Sequence, residues 1–276
     1  DSYDATNSFR SLNSSFSYDI FGNTVEVNNS GDMGMSGDES YQRFNYTNNS
    51  ALWIVNTLTN HSVYGFNANT LMKQTLYQYD NGVAVPTKGD ITVKTEWSNS
   101  SADVVSYYGY DLYGNVVQYN DSLNRTTNYT FESTLTFVNQ TSNAKGQKAK
   151  YFYNLGFGTL INTTDSNGVQ TNYTYDVFGR ITKEIQPFDT DVYPTKEYVY
   201  SIDGTAPEQI IVMQKENAGS TPTLDTRYYY DGFGNLVQVK TEAENAAVQI
   251  AGDIYYDSLD RPVKTSNPYY VSFSGS

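Results

Sequence analysis

The clearest alternation of polar and apolar positions lies between residues 165 and 185. From Val169 to Tyr175 the chain alternates, so that Tyr173 and Tyr175 point to one face of an extended strand and the intervening polar residues point to the other. Residues Asp176 to Gly179 then separate this run from a second strand-like run, Ile181 to Ile185. Aspartate can bond the backbone two residues on, and glycine can adopt the positive φ that closes a tight loop. The pattern predicts a β-hairpin with an aromatic face and a polar face.

The same unit, a tyrosine and an aspartate followed by a short turn, recurs along the chain. Each copy precedes another strand-like run, which is typical of successive hairpins. The predicted turn residues are Tyr18, Asp19 and Gly22; Tyr110, Asp111 and Gly114; Tyr175, Asp176 and Gly179; Tyr230, Asp231 and Gly234; and Tyr256 and Asp257, where Asp260 replaces the glycine. Internal self-similarity of this kind predicts a repeat architecture.

These units resemble Rhs repeats, also called YD (tyrosine-aspartate) repeats, whose pattern is Tyr-Asp-x-x-Gly-Arg with further glycine turns and Tyr-x-Tyr strands. The best match is Gly168 to Arg180, and Tyr229 to Tyr269 is similar to the repeat cores of toxin-complex subunits and other Rhs proteins. The resemblance implies an all-β fold, an antiparallel β-hairpin repeat array wound as a spiralling sheet, with little or no helix. It also implies either a hollow shell around a toxin or a structure on a cell surface.

The repeat pattern divides the chain into a divergent N-terminal β part, residues 1–106, and a clear YD-repeat region, residues 107–276. Within the first part, Gly31 to Gly37 predicts a flexible loop, with a linker between domains as the alternative. The apolar run from Ala51 to Leu58 predicts a strand buried on both faces. The one short helix candidate is Ala243 to Ile250.

The amino-acid composition indicates which side chains can form the core. With 27 Tyr, 13 Phe and 2 Trp among 38% hydrophobic residues, we expect an interior built largely from aromatic faces whose hydroxyls need partners. There is no cysteine, so disulfides are excluded and stability must come from the sheet. No run approaches the roughly 20 apolar residues of a membrane helix. The first residues lack signal-peptide features, and the missing initiator methionine suggests a mature or trimmed chain.

The charge argues against nucleic acid as a partner. The chain has 30 acidic against 17 basic residues and a net charge of -13, whereas phosphate binding needs clustered Lys and Arg. An acidic, mixed-polar surface mainly indicates solubility.

The sequence contains many potential N-glycosylation sites of the form Asn-x-Ser/Thr. The twelve candidate asparagines are Asn13, Asn28, Asn45, Asn48, Asn60, Asn99, Asn120, Asn124, Asn128, Asn139, Asn162 and Asn172. In three of these sequons the Asn and Thr share one face of a strand while a tyrosine takes the other, so a glycan would stand in solvent over a buried ring. The alternative is that an Asn- and Thr-rich β protein generates such triplets by composition and leaves them bare.

Residues that could support catalysis or bind a cofactor or metal are scarce. His61 is the only histidine, and an exposed structural role is expected for it; ordinary zinc sites are excluded by the number of ligands. Carboxylate pairs such as Asp189 and Asp191 lie in polar connections, where a solvated surface is the expected role. Rhs shells that cleave themselves carry a motif with Asp-Pro after the repeats, and this sequence contains no Asp-Pro. We therefore predict no catalytic residue, cofactor or metal.

The sequence predicts a non-enzymatic, extracellular structural protein of Rhs/YD repeats, N-glycosylated, in a surface protein, appendage or filament. Two alternatives stay open: a fragment of a hollow Rhs shell that encloses a toxin, and a carbohydrate-binding surface module that uses exposed Tyr and Trp97. The expected partners are other copies or neighbouring repeats joined at sheet edges, and covalent N-glycans, with no nucleic acid and no membrane span.

Overall fold

The computed structural model describes residues 2–3, 9–32, 34–66, 68–99, 101–205, 207–243 and 248–272. The predicted all-β class is confirmed, because the described residues form 23 β-strands and no helix. The chain divides into two compact units, residues 1–147 and residues 148–276.

Unit 1 is an antiparallel meander in which each strand from β3 to β12 pairs with the next one along the chain. Two short segments, β1 and β2, pair separately. The strands are β1 (Ser2–Tyr3), β2 (Phe9–Arg10), β3 (Leu12–Tyr18), β4 (Thr24–Asp32), β5 (Ser40–Asn49), β6 (Ile54–Tyr64), β7 (Leu71–Tyr79), β8 (Ile91–Glu96), β9 (Val104–Tyr110), β10 (Val116–Asn120), β11 (Thr126–Phe131) and β12 (Val138–Ser142).

Unit 2 repeats this plan, with each strand from β13 to β21 paired to its successor. The strands are β13 (Lys148–Asn154), β14 (Thr159–Thr164), β15 (Gln170–Tyr175), β16 (Ile181–Ile185), β17 (Lys196–Ser201), β18 (Glu208–Lys215), β19 (Thr223–Tyr230), β20 (Leu236–Glu242), β21 (Val248–Tyr256), β22 (Pro262–Thr265) and β23 (Tyr269–Ser272). The last two strands both pair with β21: β22 covers its second half and β23 its first half.

The Tyr-Asp hairpins share one register. The tyrosine before the aspartate pairs with the residue six positions later, as in Tyr175 with Ile181 and Tyr230 with Leu236, and a β-bulge follows in the ladder. A bulge increases the local twist and bends the strand. At the opposite end of the strands, the hairpin that pairs Thr164 with Gln170 has no bulge, whereas the one that pairs Tyr64 with Leu71 has one. We call the end with the Tyr-Asp turns the tyrosine end of each unit.

Each unit is a single layer of sheet, so few side chains are enclosed. Among the described residues, Tyr79 and Ala251 are the only fully buried hydrophobic side chains, although many tyrosines are half-buried. The expectation of an aromatic interior therefore holds only in part. Most rings line one face of the sheet, as Tyr108 and Tyr119 do with ring centres 5.3 Å apart, but among the described residues of either unit no second layer buries them.

Three local predictions need correction. Residues Ala51 to Trp53 form a turn rather than a buried strand: Trp53 has φ of 57° and is 75% exposed, and β6 begins at Ile54. The predicted loop from Gly31 starts too early, since β4 continues to Asp32. The helix candidate at 243–250 lies partly outside the described residues, and its last three residues belong to strand β21.

Candidate functional site

The most specialised feature of the chain is its five-residue turn. In the turn that starts at Asp176, the aspartate N–H donates to the Arg180 carbonyl (2.9 Å) and the Gly179 N–H donates to the Asp176 carbonyl (3.1 Å). The carboxylate oxygen Oδ1 accepts the N–H groups of Phe178 and Arg180, each at 2.9 Å. Its other oxygen accepts Arg180 Nε at 2.7 Å. One carboxylate therefore pairs the backbone groups that a hairpin turn leaves without partners.

Eight turns share this hydrogen-bond design, which is more than the five predicted. All five predicted Tyr-Asp turns form it, and three further turns form it at the opposite end of the strands. The leading residues are Asp19, Asp111, Asp121, Asn143, Asp165, Asp176, Asp231 and Asp257. The turn is therefore a general connector in this chain, and the preceding tyrosine distinguishes one end of the sheet.

The fourth position of each turn has a positive φ. Glycine occupies it in six turns, as at Gly179 with φ of 78°. Asn124 and Asp260, both with φ of 56°, occupy it in the other two. Asparagine and aspartate tolerate this region better than other residues with a Cβ, which explains why the Asp257 turn forms without glycine.

A glutamate version of the turn was missed by the sequence analysis. Glu132 accepts the N–H groups of Thr136 (2.9 Å) and Phe137 (3.1 Å), and Leu135 takes the positive φ of 57°. The side chain is one methylene longer than aspartate, and the loop is one residue longer to match. Partial desolvation alone would raise the pKa of Glu132, but hydrogen bonds from Thr134, Thr136 and Phe137 lower it to about 2.

A third version closes the longer connection after β7. Asp80 follows Tyr79, and its N–H donates to the Asp90 carbonyl at 2.8 Å. One carboxylate oxygen accepts the N–H groups of Thr87 (2.6 Å) and Lys88 (2.8 Å), and the other accepts that of Asp90 (2.9 Å). The same principle, a carboxylate that gathers backbone N–H groups, thus serves loops of different length.

The turn carboxylates are held in their charged form. The Arg261 side chain, then the N–H groups of Arg261 and Leu259, lower the pKa of the Asp257 carboxyl. For Asp231 the strongest influence is the N–H of Asn235, which also lowers the pKa. Hydrogen bonds to the ionised form favour ionisation.

At the tyrosine end a phenol hydroxyl replaces a missing ladder hydrogen bond. The ladder between β16 and β17 stops at Lys183 and Glu197. Two residues beyond Lys183, the Ile181 carbonyl lies past the end of this ladder, and the Tyr200 hydroxyl donates to it at 2.9 Å. A partly buried carbonyl that would otherwise lack a strand partner is thereby paired.

This arrangement, which we call a tyrosine bridge, occurs six times with identical spacing. The tyrosine always lies three residues past the last ladder pair, and its acceptor lies two residues past it. The bridges join Tyr46 to Thr24 (3.1 Å), Tyr79 to Leu58 (2.8 Å), Tyr110 to Ile91 (2.8 Å), Tyr175 to Leu160 (2.8 Å), Tyr200 to Ile181 (2.9 Å) and Tyr256 to Leu236 (3.1 Å). Four of the six bridging tyrosines directly precede an aspartate, and each joins its hairpin to the hairpin before it: Tyr79, Tyr110, Tyr175 and Tyr256. The hydroxyls of Tyr18 and Tyr230, which also precede an aspartate, form no such bridge among the described residues.

In four of the five Tyr-Asp turns the fifth residue makes contact with the next hairpin: Asn23, Asn115, Arg180 and Asn235. Asn23 Nδ2 donates to the Val55 carbonyl at 2.6 Å, and Asn115 Nδ2 donates to the Leu135 carbonyl at 3.0 Å. Where arginine replaces asparagine, it stacks instead: the Arg180 guanidinium lies 4.4 Å from the centre of the Tyr200 ring. Turn, bridge and side-chain contact together link successive hairpins.

Comparisons with known proteins agree with this geometry. A family model described as RHS Repeat matches residues 153–190. The crystal structure of TcdB2-TccC3 matches the fold with a TM-score of 0.67 at 13% identity, over 92% of this chain and 20% of that chain. Residues 153–190 therefore match an Rhs repeat, and the chain as a whole shares the fold of that solved structure.

Two further solved structures contain the same fold. TcdB2-TccC3-Cdc42 matches with a TM-score of 0.68 at 11% identity, over 91% of this chain and 22% of that chain. A Photorhabdus luminescens Tc holotoxin pore matches at 0.55 and 12% identity, over 94% of this chain and 15% of that one. No curated protein matches the sequence. The chain therefore spans about a fifth of the length of the solved chains that share its fold.

The twelve sequon asparagines differ in how exposed they are in the structure. The side chains of five are exposed: Asn13, Asn45, Asn99, Asn124 and Asn128. The other seven are half-buried: Asn28, Asn48, Asn60, Asn120, Asn139, Asn162 and Asn172. Sequence alone could not make this division, because it depends on cross-strand neighbours.

Two side chains have environments different from those expected. His61 is half-buried rather than exposed; it stacks on Phe44 with ring centres 4.4 Å apart, and burial lowers its pKa. Asp189 is fully buried rather than solvated, and Lys215 Nζ lies 2.6 Å from its Oδ1. Burial alone would raise the pKa of Asp189, but hydrogen bonds from Lys215 and Thr195 lower it to about 2. This ion pair ties the connection after β16 to the end of β18.

Two searches of the described residues gave negative results. They contain no group of three or more His, Cys, Asp or Glu side chains placed to hold a metal ion. They also contain no helix long and apolar enough to cross a membrane.

Proposed function

We propose that the chain is a non-enzymatic structural element, a segment of the β-sheet wall of a larger Rhs-type shell. The main support for this proposal is that the polar groups of the repeat residues are used in hydrogen bonds within the sheet. The Asp carboxylate of a Tyr-Asp turn is occupied by its own backbone, and the bridging Tyr hydroxyl is occupied by the neighbouring strand. Residues that recur most often in the chain therefore hold the sheet together, which is the signature of a scaffold.

The wall is proposed to continue beyond this chain through its strand edges. Within each unit every hairpin pairs with the next, and repeat arrays extend by the same nearest-neighbour contacts. The partners are then neighbouring repeats, or other copies, that add strands to an open sheet edge. The fold likeness to chains about five times as long supports the idea that such a segment works within a longer wall.

We further propose that the wall works outside the cell and carries N-glycans. Twelve sequons occur in the chain, and five of their asparagines have exposed side chains. An appendage or filament is the second arrangement of the same sheet, and it differs from the shell in whether the sheet encloses a cavity.

Electron cryo-microscopy of the full-length parent protein would test this proposal. We expect a hollow particle in which this segment forms part of a single-layer wall around an internal cavity. A solid rod or an extended filament built from the same sheet would overturn the shell and support the appendage. A fold in which this segment packs as a separate compact domain would overturn both.

A further inference from the structure

The two faces of the sheet in unit 1 differ in chemistry. Strand registers from β5 to β11 place one set of rings on a common face, which we call the aromatic face: Phe44, Tyr46, Tyr77, Tyr79, Tyr108, Tyr110, Tyr119 and Tyr129. The opposite face, the polar face, is richer in Asn, Gln, Ser and Thr, and it also carries Tyr41, Tyr64, Leu76, Val93, Val105 and Tyr107. Glycans are compatible only with a surface that stays open to solvent.

Sequon asparagines in the paired strands of unit 1 lie on the polar face. Asn45 is the cross-strand partner of Asn60, and Gln118 is that of Asn128. Asn28 and Asn120 pair with two of the tyrosines on the polar face and lie on the same side. A glycan on any of these positions would project away from the aromatic face.

The exposed sequon asparagines all belong to unit 1. Asn45 and Asn128 open onto the polar face, Asn13 lies on strand β3, and Asn99 and Asn124 lie in connections at the end opposite the tyrosine end. None of the five lies on the aromatic face or in a Tyr-Asp turn.

Asn60 lies opposite Asn45, but the side chains of its sequon are hydrogen-bonded within the protein. Its Oδ1 accepts the hydroxyl of Ser62, the third residue of the same sequon, at 2.9 Å, and Gln74 Nε2 at 3.2 Å. Gln74 also donates to the Ser62 hydroxyl at 3.0 Å, and Ser62 is only 1% exposed. The nitrogen that would carry the sugar, Asn60 Nδ2, faces Asn45 Oδ1 at 3.5 Å, and the Ser62 hydroxyl of the sequon is buried, so an enzyme could reach this sequon only if the network opened.

At Asn48 the side-chain nitrogen itself is hydrogen-bonded, which blocks glycosylation in a different way. In the orientation that satisfies its surroundings, its Nδ2 donates to the carbonyls of Thr47 (3.0 Å) and Val55 (2.9 Å). The nitrogen that would carry the sugar is thus already used to hold the turn between β5 and β6.

We infer that unit 1 displays N-glycans at its five exposed sequons, leaves Asn48 and Asn60 bare in the folded protein, and so turns its polar face outward. This rests on the proposed extracellular function. Directly opposed Asn45 and Asn60 have Cβ atoms about 5 Å apart, which leaves room for one glycan and not two. The aromatic face is then the one that faces the inside of the wall.

The modification requires a co-substrate, a lipid-phosphate-linked oligosaccharide. The asparagine Nδ2 forms a bond to the anomeric carbon of the sugar, and the bond from that carbon to the phosphate oxygen breaks. The lipid phosphate leaves with the bonding electrons, and the amide proton passes to a base. A glycan placed at Asn60 before folding would oppose formation of the buried network, so secreted folded protein is expected to lack it.

Secretion of the full chain from a eukaryotic host, followed by glycopeptide mass spectrometry of the folded fraction, tests this inference. We expect high occupancy at Asn45 and Asn128 and at least tenfold lower occupancy at Asn60. The matched variant Gln74→Ala removes two hydrogen bonds from the Asn60 network and is expected to raise occupancy there while leaving Asn45 unchanged. Asn45→Gln serves as the control: it removes the opposing glycan and alters the long 3.5 Å contact from Asn60 Nδ2 to Asn45 Oδ1, but it leaves the hydrogen bonds among Asn60, Ser62 and Gln74, so Asn60 is expected to stay bare.

The outcomes separate this inference from the proposed function. Equal occupancy at Asn45 and Asn60 in the unmodified chain, or a rise at Asn60 with Asn45→Gln, would overturn the occupied-network argument while leaving an extracellular glycoprotein. Secreted folded protein without any glycan would overturn the display of glycans as well. Neither result would alter the proposed wall, which depends on imaging of the parent protein.

Discussion

The tyrosine bridges make a prediction that can be tested with a matched pair of substitutions. Tyr110 and Tyr108 lie two residues apart on strand β9, on the same aromatic face. The Tyr110 hydroxyl donates to the Ile91 carbonyl at 2.8 Å, whereas the Tyr108 hydroxyl has no hydrogen-bond partner among the described residues. We expect Tyr110→Phe to destabilise unit 1 and Tyr108→Phe to leave its stability nearly unchanged.

The magnitude follows from the single hydrogen bond that is removed. Replacing tyrosine by phenylalanine keeps the ring in place and removes one neutral hydrogen bond, worth about 1 kcal/mol, while leaving a partly buried carbonyl without its partner. Tyr46, Tyr79 and Tyr110 have separate acceptors in unit 1, so their effects should nearly add. The triple Tyr→Phe variant should lose about 3 kcal/mol, close to a hundredfold change in the unfolding equilibrium.

Urea denaturation followed by tryptophan fluorescence measures this loss, because both tryptophans, Trp53 and Trp97, lie in unit 1. The control is the triple Tyr→Phe variant at positions 77, 108 and 129, three rings of the aromatic face whose hydroxyls have no hydrogen-bond partner among the described residues. It should remain within about 0.5 kcal/mol of the unmodified chain. Equal losses in the two triple variants would refute the bridge as a hydrogen-bond device and would assign the tyrosines to ring packing alone.

Three further predictions concern the turns and the buried ion pair. Because Gly179 has φ of 78°, Gly179→Ala should cost about 1 kcal/mol while Gly179→Asn should cost less, as Asn124 holds the same turn position; circular dichroism melts check the order. Hydrogen bonds lower the Glu132 pKa from 4.5 to about 2, so its stabilisation is complete above pH 4.5 and disappears as pH falls toward 2; Glu132→Gln should flatten acid denaturation curves in that window. Lys215→Met leaves the buried Asp189 carboxylate without its counter-ion and should lower the free energy of unfolding by about 3 kcal/mol. An unchanged melting temperature would contradict this.

The hairpin order was predictable because the turn chemistry is local. Asp, Gly and the following Asn or Arg appear in the sequence at fixed spacing, and the backbone hydrogen bonds of the turn join only those residues. The turn at Asp121 could also have been found, since Asp121 to Arg125 reads Asp-Ser-Leu-Asn-Arg and Asp257 to Arg261 reads Asp-Ser-Leu-Asp-Arg. The tyrosine that marks the other turns is absent from this one, where Asn120 precedes the aspartate.

Other parts of the site could not be predicted from local spacing. The Glu132 turn depends on a match between a longer side chain and a longer loop, so its sequence does not resemble the aspartate turns. The pair Lys215 and Asp189 joins residues 26 positions apart through two irregular connections. Which sequons are open likewise depends on partners such as Gln74 across the sheet. In each case the contact that matters depends on how distant parts of the chain are brought together, and not on neighbouring residues in the sequence.

The adjacency of Tyr and Asp has a physical reason that extends across the family pattern. The aspartate closes the hairpin that follows it. At Tyr79, Tyr110, Tyr175 and Tyr256 the tyrosine, one residue earlier, secures the junction with the hairpin that precedes it. The ladder between hairpins stops three residues before that tyrosine, so the strands are free to diverge toward the tyrosine end, and a hydroxyl on a long rigid ring spans a gap that backbone groups cannot. One dipeptide thus sets both the reversal of the chain and the spacing between successive reversals. A sheet built this way can continue from hairpin to hairpin without a second layer to support it.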